Sequence, residues 1–227
     1  MSRKTTLRVS ELYSSIQGEG VTVGVPAIFL RLQGCPLRCE WCDTKDVWKV
    51  GTAMKIEDII DAVHEFSPKP KTLVVTGGSP LMQQTNLAIL LVILYSQFRI
   101  EVENECVLLP DSSITYNIDQ WNNSPKLSNS GVPRTQRYKR EVLRRMSQLH
   151  NSWFKFVVDC EEDWEEIQMD FLDPGLIRKD QVILMPQAQS REEILKTQYI
   201  VAKMALQKGV RYSPREHINI WDRRTGV

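Results

Sequence analysis

Three of the chain's five cysteines, Cys35, Cys39 and Cys42, fall within eight residues at C-x3-C-x2-C spacing, and this crowding constrains the chain more than any other feature. The cysteine count is odd and 227 residues can fold without covalent staples, so a disulfide framework fits poorly. A metal or reactive site in a reducing compartment fits better. Structural zinc takes four ligands, usually supplied as two pairs, and a ferredoxin-type electron carrier also takes four thiolates per cluster. Here Cys106 and Cys160 are distant in sequence and unpaired, and His64 sits inside a helical pattern. Three thiolates in one tight loop suit a four-iron cubane in which one iron has no protein ligand. Such an iron is open to a small molecule, and that opening turns a redox centre into a catalyst.

The loop directly follows an apolar run, and similar runs recur along the chain. Strands are predicted at Ala27–Leu32, Leu73–Thr76, Ile100–Glu103, Ile114–Ile118, Phe154–Val158 and Val182–Met185. Between them, Ile56, Ile59, Ile60, Val63 and Phe66 form an apolar stripe at helical spacing that ends at Ser67-Pro68. The stretch Thr85–Phe98 is apolar nearly all round and predicts a buried helix, while Arg137–His150 predicts a helix with a basic outer face. Ser190, with Glu193 three residues on, opens a further helix that closes at Gly209. Alternation of this kind implies an α/β fold with a mostly parallel sheet; six such units fit an open, partial barrel better than a doubly wound sheet, two forms that periodicity alone does not separate. In such folds the loops at the carboxyl ends of the strands carry the chemistry, and the first of them carries the cysteines. Asn104–Thr135 is the least regular region and reads as a functional or mobile loop.

Bulk composition narrows the partners. Lys+Arg 29 against Asp+Glu 28 gives a net charge of +1, so bulk charge draws the chain to neither nucleic acid nor membrane. The longest apolar run, Leu87–Tyr95, is about half of a bilayer span. Met1-Ser-Arg-Lys-Thr-Thr has no apolar core of a secretory signal, so a cytoplasmic protein is expected.

C-x3-C-x2-C with Trp41 before the last cysteine resembles the radical S-adenosylmethionine (SAM) superfamily. The run Thr76-Gly77-Gly78-Ser79-Pro80 at the end of a predicted strand resembles its GGEP segment, with Ser79 where the superfamily usually has glutamate. Three further blocks are closely similar to the 7-carboxy-7-deazaguanine synthase family: Glu11 through Gln17-Gly18-Glu19-Gly20, Ala27 through Arg31 to Cys35, and Cys42-Asp43-Thr44. Ser124-Pro125-Lys126, Met185-Pro186-Gln187 and the tail from His217 to Val227 match the same family, so the resemblance spans residues 1–227 as one radical SAM domain.

What the resemblance implies is a partial TIM-like (β/α)6 barrel holding a [4Fe–4S] cluster on Cys35, Cys39 and Cys42. SAM would be bound by Thr76, Gly77, Gly78, Ser79, Glu103, Ser124, Lys126 and Gln187. The implied reaction converts 6-carboxy-5,6,7,8-tetrahydropterin to 7-carboxy-7-deazaguanine by radical ring contraction with loss of ammonia, a step towards queuosine-type 7-deazapurines. Magnesium on Thr44, a flavodoxin- or ferredoxin-type electron donor and a homodimer belong to the same expectation. The residue types suit the substrate. A pterin edge alternates donors and acceptors, which Gln17 and Glu19 can match. Arg31 can clamp a carboxylate, and Asp43 and His217 complete the expected substrate contacts. Two rivals remain open at this point. A glycyl-radical activating enzyme would need a protein-docking surface instead of these side chains. A non-catalytic iron–sulfur electron carrier or zinc module would need Cys106 or Cys160 as a fourth ligand.

Overall fold

The computed structural model describes residues 5–227; residues 1–4, part of the segment read above as no secretory signal, lie outside it. Among the described residues one nine-stranded sheet organises the chain. In chain order its strands are β1 (Thr6–Ile16), β2 (Pro26–Leu32), β3 (Thr52–Lys55), β4 (Thr72–Gly77), β5 (Arg99–Asn104), β6 (Gln120–Asn123), β7 (Ser152–Val158), β8 (Val182–Pro186) and β9 (Arg211–Tyr212). The spatial order is β3-β1-β2-β4-β5-β6-β7-β8-β9. β1 runs antiparallel to both β2 and β3, and every neighbouring pair from β2 to β9 is parallel. The expected α/β architecture, an open partial barrel, is the one observed.

Alternate residues of each strand face opposite ways, and the two faces differ in kind. On the outer face Ile28 and Leu30 of β2, Leu73 and Val75 of β4, Ile100 and Val102 of β5, and Phe154 and Phe156 of β7 join one large apolar core. The helices α1 (Ile56–Glu65), α2 (Gln84–Leu94), α5 (Arg140–Ser147) and α7 (Arg191–Lys208) supply residues to it, among them Ile59, Leu91, Leu143 and Val201. α7 begins as expected, with the Ser190 hydroxyl accepting from the Glu193 amide at 3.3 Å, and it ends on left-handed Gly209. On the inner face stand Arg31, Glu101, Glu103, Gln120, Asn122 and Lys155, of which Glu101, Gln120, Asn122 and Lys155 are each at most 2% exposed.

Four expectations are corrected. The segment Ile114–Ile118 is not a strand. Its Ile/Tyr/Ile alternation imitates one, but Ser112–Thr115 forms a helical turn (α3), Tyr116 points to solvent, and the strand at this place in the sheet is the polar Gln120–Asn123. His217–Trp221, for which the sequence predicts a strand, belongs to the short helix α8 (Glu216–Trp221). The helix expected across Arg137–His150 is interrupted. Arg137 ends α4 (Arg134–Arg137) with its side chain turned inward, Tyr138 is extended, and α5 starts at Arg140. α2 is not buried all round, because it packs one side on the sheet and leaves Ile89, Val92 and Ile93 43–53% exposed. The remaining helix, α6 (Glu161–Ile167), runs into a π-helical turn, Gln168–Leu172.

Candidate active site

The cysteine loop leaves the carboxyl end of β2 and is seated from two sides. Beneath it Leu37, Cys39 and Val132 form a small apolar cluster, with Cys35, Trp41, Cys42 and Val107 packed against them. Beside it the turn after β4 lies flush on the loop, the Ser79 amide donating to the Gly34 carbonyl at 2.7 Å. A Cβ on Gly78 would fall on that carbonyl and on Cys35, so the two glycines serve first as the surface against which the loop is pressed. Part of the irregular region closes over the outside. The Glu40 amide donates to the Ser130 carbonyl at 3.0 Å, and Gly131 lies against the Glu40 side chain. Arg137, 5% exposed, holds that segment by donating to the carbonyls of Val132 (3.1 Å) and Lys126 (3.0 Å) and pairing with Glu166 at 2.7 Å.

All five cysteines are free. Burial pushes the Cys35 thiol up to about 12, with Glu105 adding to the rise, and burial raises Cys39 as well. Both must lose their protons to bind metal. Soft thiolates suit zinc or an iron–sulfur cluster, and three of them in one loop fit a cluster that keeps one iron open. Cys106 is fully buried under Asn104, and Cys160 sits apart with Asp159 and Asp163. Neither lines the cavity at the loop, so the carrier reading has no fourth thiolate there.

That cavity, about 220 Å³, gathers most of the residues singled out in the sequence: Gln17, Glu19, Arg31, Cys35, Cys39, Cys42, Asp43, Thr44, Thr76, Gly77, Gly78, Glu103, Ser124, Lys126 and His217. Two do not border it. Ser79 is fully buried behind the turn, and Gln187 lies past the end of β8 with its amide bonded to the Val158 carbonyl at 2.9 Å.

Opposite the cysteines is an ionic floor. Lys155, 2% exposed, donates Nζ to Glu19 Oε2 at 2.5 Å and to Glu103 Oε2 at 3.0 Å. The other Glu103 oxygen accepts from Gln17 Nε2 (3.3 Å) and Asn122 Nδ2 (3.1 Å). Arg215, also buried, donates Nε to Glu19 Oε1 at 3.1 Å, Nη2 to Asp43 and Nη1 to the Ala188 carbonyl. His217 Nε2 lies 3.8 Å from Glu19 and 3.9 Å from Asp43, and its ring packs so closely on Gly18 that no side chain fits there. Gly18 therefore admits the histidine while still bordering the cavity. Glu19, Asp43 and His217 have ligand atoms within 4.8 Å of one another, but the Lys155 and Arg215 cations already satisfy the carboxylates, and the group is an ion-pair cluster. Burial raises the Glu19 carboxyl, yet Lys155, Arg215 and His217 outweigh it and hold it at about 2. For Asp43, Arg215 and His217 likewise overcome burial and keep the carboxyl well below the usual range. Glu103 goes the other way: burial, with Glu19 beside it, outweighs Lys155 and raises it. Arg31 gives Nη1 to Glu11 at 2.6 Å and lies over the Tyr13 ring at 5.1 Å.

Lys155 and Arg215 were missed by sequence reasoning. A signal existed for the first. Lys155 is a lone cation between Phe154 and Phe156, at the parity that faces away from the apolar core. Arg215, in an irregular segment, has no comparable mark.

Comparison with known proteins accords with this geometry. The radical SAM superfamily profile matches residues 30–159. The 7-carboxy-7-deazaguanine synthase of Pyrobaculum aerophilum is 37% identical over 229 residues, covering 100% of both chains. That of Hyperthermus butylicus is 31% identical over 224 residues, covering 94% of this chain and 92% of its own. In fold the chain is similar to QueE from Escherichia coli, with a TM-score of 0.73 at 23% identity over 96% of this chain and 100% of the other. The three-cysteine loop at the mouth of a partial barrel and the full-length likeness lead to one conclusion: this chain belongs to the 7-carboxy-7-deazaguanine synthase family of radical SAM enzymes.

Proposed function

We propose that the protein converts 6-carboxy-5,6,7,8-tetrahydropterin to 7-carboxy-7-deazaguanine with loss of ammonia, using the cavity between the cysteine loop and the ionic floor. The observation that carries this reading is that one cavity joins three unpaired thiols to a dense set of buried, charge-neutralised carboxylates. The family implies a [4Fe–4S] cluster and SAM, and when bound these supply reversible hydrogen-atom abstraction, chemistry that no side chain here offers. Cys35, Cys39 and Cys42 would hold the cluster. Thr76, Gly77, Gly78, Ser124 and Lys126, which border the same end of the cavity, would hold SAM. Ser79 and Gln187, set back from the cavity, would act through backbone or neighbours.

In this reading the chain's own work is recognition and exclusion of water. Gln17 and Glu19 present fixed acceptors and an amide to the pterin edge, joined by Glu103, which the resemblance assigns to SAM but which bonds Gln17 and shares Lys155 with Glu19; Lys155, Arg215 and Asn122 hold the three so that no reorganisation is needed on binding. Arg31 keeps N–H groups beyond its bond to Glu11 for the substrate carboxylate. Asp43, anchored by Arg215 directly after Cys42, and His217 would face the substrate beside Glu19. Magnesium would sit at Thr44, whose Oγ1 lies 3.7 Å from Cys42 Sγ, with substrate and water completing an octahedron that needs only one or two protein oxygens. The homodimer, the flavodoxin- or ferredoxin-type donor and the cytoplasmic location rest on the family resemblance. No described helix is long and apolar enough to cross a membrane.

An anaerobic assay of cluster-loaded protein with 6-carboxytetrahydropterin, SAM and a reductant tests the reading. Product and ammonia should form with SAM used catalytically, and Cys39→Ala should abolish both iron uptake and turnover. SAM cleavage without conversion of the pterin would reject the substrate while keeping the superfamily.

A further inference from the structure

Two loops from different parts of the chain border the cavity: residues 17–20, which carry Glu19, and residues 42–44, which carry Asp43 directly after Cys42. Among the described residues no backbone hydrogen bond joins them. They meet through their carboxylates, whose oxygens come within 4.8 Å of each other and of His217. Two carboxylates at that distance repel, so a cation has to hold the approach.

Arg215 is that cation. Its backbone is fastened to the first loop on either side: the Ser213 hydroxyl accepts from the Gly20 amide at 2.7 Å, and the Glu216 amide donates to the Gly18 carbonyl at 2.8 Å. Its own carbonyl opens α8, accepting from the amides of Ile218 (3.0 Å) and Asn219 (3.1 Å). From this anchored base the side chain donates Nε to Glu19 at 3.1 Å, Nη2 to Asp43 and Nη1 to the Ala188 carbonyl. A guanidinium 5% exposed and committed in three directions has little freedom to adjust. His217, 3.8 Å from Glu19 and 3.9 Å from Asp43, lies near both carboxylates but carries charge only when protonated. Lys155, the other buried cation, ties Glu19 to Glu103 and pairs with no acid of the cysteine loop.

We propose that Arg215 is a positioning residue: by tying Asp43 to Glu19 it fixes the spacing between the seat of the pterin and the cysteine loop, so that SAM consumption and substrate conversion stay coupled. This rests on the proposed reaction and deepens it by naming the side chain that sets where the substrate stands. Lys155 holds the recognising groups to one another, and Arg215 holds them to the metal end.

Arg215→Lys tests this, because it keeps the buried charge while an ammonium cannot reproduce the planar three-way span. Cluster-loaded variant and wild type are compared without oxygen. Iron content, and equilibrium dialysis with the pterin and with SAM in the absence of reductant, should stay within about threefold of wild type, since Lys155 still holds Glu19. With reductant, product formed per SAM consumed should fall by about tenfold or more, as for a misplacement of about 1 Å. A purely structural role would instead lower iron content and both affinities together and leave product per SAM unchanged, which would overturn the proposal. Loss of pterin binding alone would also overturn it, making Arg215 a recognition residue. Should Arg215→Lys take up no iron, Arg215→Gln is read by the same measures, and failure of both to load overturns the proposal, since spacing does not govern cluster uptake. Wild-type protein that consumes SAM without converting the pterin would reject the proposed reaction, and the positioning role with it.

Discussion

Neighbouring residues of the same strands answer to different demands on the two faces of the sheet. In β7, Phe154 and Phe156 are fully buried in the apolar core, while Lys155 between them is equally closed to water but lies among carboxylates. In β5 the same parity separates Ile100 and Val102 from Glu101 and Glu103. Glu101 gathers Thr22 (2.8 Å), Asn122 (3.2 Å), Gln120 (3.3 Å) and Arg99 (3.2 Å) into one network under the cavity. The outer face stabilises the fold by removing apolar surface from water, a non-directional effect that tolerates changes of shape. On the inner face every charge depends on a named partner, so it contributes geometry at a considerable desolvation cost. Burial alone therefore does not say what a strand residue is for; its parity does.

The largest effect that would sharpen this contrast is expected from Lys155→Met. Removing the one ammonium shared by Glu19 and Glu103 leaves two buried carboxylates uncompensated, a destabilisation of about 3–5 kcal/mol. Pterin binding should be lost while SAM binding by the loaded protein survives, as read by denaturant midpoints and by dialysis with each ligand. Next in size is Phe156→Ala, one residue along and on the opposite face. It should cost a similar about 3–5 kcal/mol in denaturant unfolding, but what remains folded should keep the wild-type KM for the pterin. A raised KM in that variant would break the separation of the faces.

Acid stability gives the smallest and most graded effect. The Glu19 carboxyl is held at about 2 against an ordinary 4.5, so its stabilisation is complete above about 4.5 and drains away as pH falls towards about 2. Glu103 is raised and works in the opposite sense, the cost of its buried charge being relieved as pH falls to about 4.5, before the Glu19 contribution begins to drain. Urea midpoints followed from pH 5 to pH 2 should fall less steeply for Glu19→Gln than for the wild type. Parallel curves would mean that the ionic floor adds no pH-dependent stability.

How much of this was legible in the sequence follows the same division. Parallel strands buried on both faces, such as Leu73–Thr76 and Val182–Met185, stand out as short apolar runs and were located correctly. β6 was not, because its residues Gln120, Asn122 and Asn123 are buried as hydrogen-bond partners of the inner network and read as loop. β1 escaped for another reason. Its pairing with β2 shifts between Val9 and Glu11, and such an irregularity breaks the alternation that marks a half-buried strand. In the site, closely spaced motifs were recoverable: the three cysteines, Gln17 to Glu19, and Asp43 with Thr44. The groups that hold them in place, Lys155 and Arg215, come from distant parts of the chain and carry no local pattern.

Arg137 gives the cysteine loop an unusual mooring. The strands bring the thiols to one end of the barrel, and the covering formed by residues 124–133 is fastened by the Arg137 guanidinium on two carbonyls and one carboxylate, by Ser128 on Glu166, and by Asn129 on the Val157 carbonyl and Asp163. Through Asn129 on the Val157 carbonyl of β7 and Ser124 on the Asn104 carbonyl of β5, the cover is also tied to the strands it overlies, so a slip of register in either would be felt at the sulfurs.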